Sequence, residues 1–359
     1  MLLTLCICST LCCSADSPPS MRTYRQASDA SAAVAVGEDT FVVADDENNI
    51  IRLYKTSGPD LPVYSYDLSE FLNINSEHPE ADIEGATRIG SRIYWITSHG
   101  RNKDGKPRPN RYRFFATDVL EQNGRITIQP VGDPYTNLVD HLISDKNTRN
   151  MGLDKATRLS ADLSKKQREK LAPKEEGLNI EALCASPDGK TMYIGFRNPL
   201  IKDKTTGQLC ALLVPMLNAD LVVKQGDMPL FGQPILWDFD ELGIRSMEYS
   251  RFHKAYFVIA GEVDSTKRFA LYRWSGLINE KTTLVKELSL SNFTPEALIP
   301  FDNSNRLLLL SDDGTISVKV AGPHECISEN EYNKDTGACQ NKYLLDPNNK
   351  TFRALWLTP

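Results

Sequence analysis

An all-β chain closed into a β-propeller of five blades is what this sequence implies. Three features carry that expectation. Short runs of β-forming residues are punctuated by turn residues, the runs come in groups of four, and each group opens on a small acidic phrase. The phrase is clearest at Asp82-Ile83-Glu84-Gly85-Ala86. It returns at Asn179-Ile180-Glu181-Ala182-Leu183, Ser246-Met247-Glu248-Tyr249 and Thr294-Pro295-Glu296-Ala297-Leu298, and a degenerate copy, Asp29-Ala30-Ser31-Ala32, comes first.

The first unit predicts strands over 32–36, 40–44, 50–54 and 63–67, separated by Gly37-Glu38-Asp39 and Asp46-Glu47-Asn48-Asn49. The second gives 86–89, 92–97, 111–118 and 125–131. The third gives 181–185, 191–196, 208–214 and 234–238, with Ser186-Pro187-Asp188-Gly189 as a turn whose glycine supplies a positive φ. The fourth gives 247–250, 255–261, 268–274 and 282–288. The fifth gives 297–300, 306–310, 315–320 and, beyond a detour over 321–350, a closing strand at 352–357 that can pair with chain near Arg22–Gln26. Counted from Ser31, the tags lie 53, 97, 67 and 48 residues apart. The 97 is the outlier. Within 133–176 the pattern turns helical, with Leu138, Val139, Leu142 and Ile143 on one face. Removing that segment restores the length of the first unit, so it reads as a helical insertion. Six blades, the sixth drawn from 1–30 and 133–176, is the alternative count.

The 359 residues are 41% hydrophobic and 25% charged, enough for a large core in one propeller domain over 16–359. A net charge of -6 argues against general nucleic-acid binding. No apolar run is long enough to span a membrane. Leu2 to Cys13 is apolar and Cys13-Ser14-Ala15 resembles a small-residue cleavage site, so 1–15 reads as a signal peptide, although no Lys or Arg precedes it. Secretion or periplasmic export follows; lipid anchoring on Cys12 or Cys13 is the alternative. Four of the eight cysteines fall in this segment, and an even set remains, Cys184, Cys210, Cys326 and Cys339. That suits an oxidising compartment. Cys326 and Cys339 flank a polar loop they can staple, and Cys184 and Cys210 fall on nearby strands of one unit. No zinc spacing is present.

In a propeller the innermost strand of each blade begins near the central channel. Glu84, Glu181, Glu248 and Glu296 would then converge, and converging carboxylates need compensation. Backbone N–H groups of the next blade, buried arginines such as Arg88 or Arg245, or a hard cation such as Ca²⁺ could supply it. A second constellation is basic. The segment from His99 to Arg113 includes Arg101, Lys103, Arg108 and Arg111, and Arg197-Asn198 holds the matching place in the third unit. Guanidinium forks suit phosphate, sulfate or carboxylate, while charge runs of this kind are also found as solvated hairpin tips. His99 is the candidate general base. No triad, P-loop or dinucleotide motif accompanies it.

Taken together, Phe41-Val42-Val43-Ala44-Asp45-Asp46-Glu47-Asn48-Asn49, Ser98-His99-Gly100-Arg101-Asn102-Lys103-Asp104-Gly105, Gly177-Leu178-Asn179-Ile180-Glu181-Ala182-Leu183 and Leu271-Tyr272-Arg273-Trp274 resemble a bacterial family of unknown function, DUF3616, over roughly residues 25–320. The resemblance implies no known activity. The Glu-Gly and Glu-Ala tags at Glu84, Glu181 and Glu296 are also similar, more weakly, to those of phytase-like and esterase-like propellers; Glu248, followed by Tyr249, departs from that tag. Two functions are left: an exported propeller binding an anionic small molecule or a protein partner on one face, or a metal-assisted hydrolase of an anionic ester, with Glu84, Glu181, Glu248 and Glu296 on the metal and arginines on the anion.

Overall fold

The structure, a computed structural model, describes residues 21–264 and 268–359. The segment read as a signal peptide, with Cys6, Cys8, Cys12 and Cys13, lies outside the described residues. After β1 (Met21–Arg25), blade one runs β2 (Ala32–Ala35), β3 (Thr40–Ala44), β4 (Ile50–Lys55) and β5 (Tyr64–Asp67), paired in that order. Blade two is β6 (Ile83–Ile89), β7 (Arg92–Thr97), β8 (Phe114–Gln122) and β9 (Arg125–Tyr135). Three short helices follow, α1 (Leu138–Ser144), α2 (Leu153–Thr157) and α3 (Lys165–Glu169).

Blade three pairs β10 (Asn179–Ala185) with β11 (Met192–Asn198); beyond the short β12 (Ile201–Lys202) comes β13 (Leu209–Met216), then α4 (Ala219–Gln225) and β14 (Ile235–Trp237). Both β12 and β14 pair with β13. Blade four is β15 (Gly243–Ser250), β16 (Ala255–Gly261), β17 (Phe269–Trp274) and β18 (Thr283–Glu287). Blade five starts with β19 (Pro295–Pro300) and β20 (Leu307–Ser311). The chain then leaves the blade as a hairpin, β21 (Ser317–Lys319) with β22 (Ala338–Gln340), before β23 (Thr351–Leu357) returns beside β20. β1 pairs with β23, Arg22 opposite Ala354, as the outer strand of this blade. The ring therefore has five blades, each from an antiparallel meander, and its last blade joins both ends of the described chain.

Each sheet carries apolar side chains on both faces, so each face needs a neighbour. Five hydrophobic clusters fill the five gaps. Ile51, Leu53, Ile93 and Trp95 lie between blades one and two, Ile96, Phe114, Ile194 and Phe196 between two and three, and Leu213, Trp237, Val258 and Trp274 between three and four. Ile259, Leu271, Leu307 and Leu309 lie between four and five, and Tyr24, Phe41, Tyr54 and Phe352 between five and one.

Two sequence expectations are corrected. The run over 315–320 is not the third strand of blade five, because its residues from Ser317 to Lys319 pair with β22 and leave that place to β23. Cys184 and Cys210 are free, both buried. β11 lies between their strands, which sets them about 10 Å apart at strand spacing, beyond the reach of a disulfide. They also sit towards opposite ends of the sheet, since Cys184 faces Tyr193 while Cys210 lies past the Gly195–Leu213 pair. Cys326 and Cys339 are joined, their Cα atoms 6.3 Å apart, and close a loop in the connection between β21 and β22, Cys339 itself lying on β22.

Closure concentrates on one ring. Tyr24 on β1 stacks on Phe352 at 5.2 Å and meets Tyr54 and Phe41 edge-on at 5.3 and 5.4 Å. The two hydroxyls cross the same seam: Tyr24 donates to Lys55 O at 3.1 Å and Tyr54 to Arg25 O at 2.7 Å. Tyr24→Ala should cost about 3–5 kcal/mol, the usual range for deleting a buried aromatic ring, whereas Met21→Ala, on the exposed end of the same strand, should cost under about 0.5 kcal/mol. Chemical denaturation measures both, and equal costs would show that the seam does not hold the ring closed.

Candidate metal centre

The geometry of the channel mouth is set by bulges. In four inner strands the register slips near the start, between Ile83 and Gly85, Ile180 and Ala182, Ile244 and Ser246, and Pro295 and Ala297. The extra residue is Glu84, Glu181, Arg245 and Glu296 in turn. A bulged residue leaves the ladder and its side chain is re-aimed; here all four reach the same end of the axis. In blade one Ser31 precedes β2, and its Oγ donates to Ile83 O at 2.6 Å, tying that blade to the next.

The bulge corrects one expected ligand. Glu248 is not the fourth member of the set; Arg245 is. Glu248 lies three residues further along β15, beside Thr87 and Cys184 deeper in the ring, and burial pushes its carboxyl well above the usual range. The repeating phrase is Ile-x-small, as in Ile83-Glu84-Gly85, Ile180-Glu181-Ala182 and Ile244-Arg245-Ser246, and the variable middle residue carries the charge.

Arg245 is 4% exposed and bridges two blades. Its Nε lies 2.9 Å from Glu181 Oε2 and its Nη2 pairs with Glu296. Glu181 also receives Arg197 Nη1 at 2.9 Å and Asn179 Nδ2 at 2.6 Å. Its oxygens are spent on these partners, so it is a brace rather than a ligand.

Two groups of acids remain. Asp29, Glu296 and Asp312 bring one oxygen each to within 4.8 Å of one another, and Asp46, Asp82 and Glu84 do the same. Asp29 and Asp312 face each other as a β-bridge between the start of blade one and the end of β20. Asp82 is braced by Arg111 Nη1 at 2.8 Å, Glu80 by Arg111 Nη2, and Glu47 by Lys342 Nζ at 2.6 Å. Asp29 Oδ1 and Asp46 Oδ1 are buried and have no hydrogen-bond partner. Burial, then Asp312 and Asp46, push the Asp29 carboxyl well above the usual range. Burial, then Glu47, Glu84 and Asp82, do the same to Asp46. Glu84 is raised by burial, Asp82 and Glu181, against the opposing pull of Arg245 and Arg111. An all-carboxylate donor set of this kind fits a hard divalent cation. Asp29, Asp46, Asp82 and Asp312 were not candidates from sequence; the doublets Asp45-Asp46 and Asp312-Asp313 directly after the second strands of blades one and five are the signal they left.

The basic constellation sits otherwise than its composition suggests. Arg101 is 4% exposed and donates to the carbonyls of Gly105, Thr157 and Arg158, pinning the end of α2. Gly105, at φ +69°, lets this loop press on the carbonyl of Arg168 at the end of α3, where any Cβ would clash. Arg111 and Arg197 hold the acids named above, and Arg197 also donates to Glu262 O and Asp264 O. Asn198 donates to Pro173 O and Glu175 O. Lys103 is exposed beside a polar cavity of about 440 Å³ lined by the tail, and Arg108 is half-buried at the loop tip. His99 is 1% exposed. Its Nδ1 is 2.8 Å from Thr97 O, which makes it the donor, and Nε2 has no partner. Burial and Arg113 pull it down to about 4, so the ring is neutral in ordinary buffers.

The raised carboxyls fix a pH dependence. Their folded proton affinity exceeds that of the unfolded chain, so the native state holds more protons and loses stability as pH rises above about 4, the unfolded carboxylate value. In chelator, the melting temperature should fall across neutral pH, and Asp29→Asn should flatten that fall and raise the melting temperature at pH 8. A melting temperature in Asp29→Asn below that of the wild type at pH 8 would mean the Asp29 charge is already compensated.

Among solved structures, the fold is similar to the β-propeller domain of Cps50 (Swd1) from Myceliophteria thermophila, with 7% identity over 95% of this chain and 100% of that one and a TM-score of 0.36. Others are hydrazine synthase of Kuenenia stuttgartiensis (10% identity, 79% of this chain and 64% of that one, TM-score 0.34) and a putative oxidoreductase (glucose dehydrogenase) of Thermus thermophilus (11% identity, 94% and 100%, TM-score 0.39). No curated protein matches the sequence. Residues 29–306 match the family described as "Protein of unknown function (DUF3616)", a span that takes in the five bulged or equivalent inner strands and both acid groups except Asp312. The chain is a member of the DUF3616 family.

Proposed function

We propose that this protein is an exported binding propeller whose channel mouth holds a divalent cation, with calcium as the best match, and that the cation draws an anionic ligand or an acidic partner to this face. One observation carries the reading: Asp29 is buried with one carboxylate oxygen, Oδ1, left without a hydrogen-bond partner, and it brings an oxygen to within 4.8 Å of those of Glu296 and Asp312. At an effective dielectric of about 20, two such charges repel by about 3–4 kcal/mol at that separation, and a cation with oxygen ligands removes the repulsion. Oxygen-only ligands favour calcium, magnesium or manganese over zinc or copper. The Cys326–Cys339 disulfide supports an oxidising compartment, and among the described residues no helix is long and apolar enough to cross a membrane.

The hydrolase reading needs a base beside the cation. His99 is enclosed and, pulled down to about 4, a weak base, and among the described residues neither acid group includes it, so binding is preferred. The test is a thermal melt in chelator and in millimolar calcium. A ligand at a hundredfold its dissociation constant adds about 2.7 kcal/mol, about 4 °C for a domain of this size. Asp29→Asn with Asp312→Asn should abolish the gain. Identical melts with and without calcium, magnesium or manganese would sink the proposal.

A further inference from the structure

A recess opens between blades two and three, at the end of the strands opposite the channel mouth, and encloses about 350 Å³. Ile89, where β6 ends, and Tyr94 on β7 form one wall. Met192, where β11 begins, and Leu217, Ala219 and Leu221, which follow β13, form the other. Tyr94, Met192 and Ala219 are buried and make a closed floor, whereas Leu217 and Leu221 stand 50% and 41% exposed at the rim. The apolar surface continues outwards. Leu217 N donates to Leu230 O at 2.8 Å, and the Asn218 side chain accepts from Leu230 N at 2.8 Å and donates to Met228 O at 2.9 Å. These bonds hold Met228 and Leu230, both exposed, beside the recess. Single exposed apolar side chains are the norm on a surface, but four large ones kept around one hollow mark a binding feature.

Two charged side chains line the recess, and only one of them is spent. Asp220 takes Arg92 Nη1 at 2.7 Å, the Tyr94 hydroxyl at 2.9 Å and Lys224 Nζ at 2.9 Å. Lys190 is exposed at the opening, and among the described residues no carboxylate lies within ion-pair distance of its ammonium. Asp188, two residues earlier, is outside the lining and is engaged in its own turn by Ser186 Oγ at 2.6 Å and Lys190 N at 3.1 Å. An apolar hollow with one unspent positive charge at its edge suits an apolar body that ends in one negative charge.

We infer that this recess binds a free aliphatic monocarboxylic acid the size of octanoate, its chain against Tyr94, Met192, Leu217 and Leu221 and its carboxylate on Lys190. At roughly 30 Å³ for each non-hydrogen atom the volume admits about ten of them, which octanoate supplies. The hydrocarbon provides the affinity through burial, and the lysine sets the sign of the head group as a point charge that needs no particular geometry. The site is separate from the cation reading, because no lining residue belongs to either acid group.

The experiment is calorimetry with butanoate, hexanoate and octanoate, all below micelle-forming concentrations, against octanol and octylamine. Each methylene added between butanoate and octanoate should tighten binding about threefold, and octanoate should bind more tightly than octanol or octylamine. Lys190→Met, a change at an exposed position, should lower octanoate to the affinity of octanol and leave octanol itself unchanged. Leu217→Asn with Leu221→Asn should weaken octanoate about tenfold or more, with the melting temperature as the check on folding. Octylamine binding as tightly as octanoate, affinity indifferent to chain length, or Lys190→Met binding octanoate like the wild type would overturn the assignment. Binding to vesicles of anionic phospholipid with none to dissolved octanoate would overturn it too, and would make this face a membrane contact instead.

Discussion

A five-bladed ring leaves little room at its axis, and that constraint governs the molecule. Five two-faced sheets can cover one another only by closing, and closure here depends on a strand from before blade one completing blade five. Once the ring is shut, the starts of the inner strands have nowhere to go but towards each other. The bulges then turn one residue per strand into the remaining space. Were all of them acidic, the mouth would carry a buried charge that folding could not sustain.

The chain meets that problem twice over. On one side Arg245 stands where a repeat would otherwise place a fourth glutamate, and with Arg197 it neutralises Glu181 and part of Glu296. On the other side Arg111 and Lys342 brace Asp82, Glu80 and Glu47. What is left over, Asp29 with Asp312 and Asp46 with Glu84, is only partly compensated from within. Residual strain of this sort is expected where a ligand completes the arrangement. The disulfide-closed tail adds Lys342, which pairs with Glu47, so the tail is part of the same charge pattern.

Much of the fold was legible. Alternating β-formers and turn residues announce strands because each pair of residues must face two different layers, and the group-of-four repeat announces blades. The site was half legible. Glu84 and Glu296 are legible as acids at blade starts, but the charge pattern points to Glu248 where the bulge places Arg245. Asp29, Asp46 and Asp312 stand out only in the fold: Asp29 meets Glu296 and Asp312 from some 270–280 residues away, and Asp46 meets Asp82 and Glu84 from the next blade. The arginine-rich loop misled in the opposite direction. Its composition suggested an anion clamp, yet Arg101 donates to carbonyls and Arg111 braces the carboxylates of Glu80 and Asp82.

By itself the sequence determined the strands, their grouping into a propeller, the family, and the presence of acids at blade starts, since each of these is written in local periodicity. Only the tertiary structure decided which acids meet, which arginines are spent, and that Cys184 and Cys210 stay apart. Pairing of charges depends on angle and distance about the ring axis, and a one-residue bulge is enough to change both.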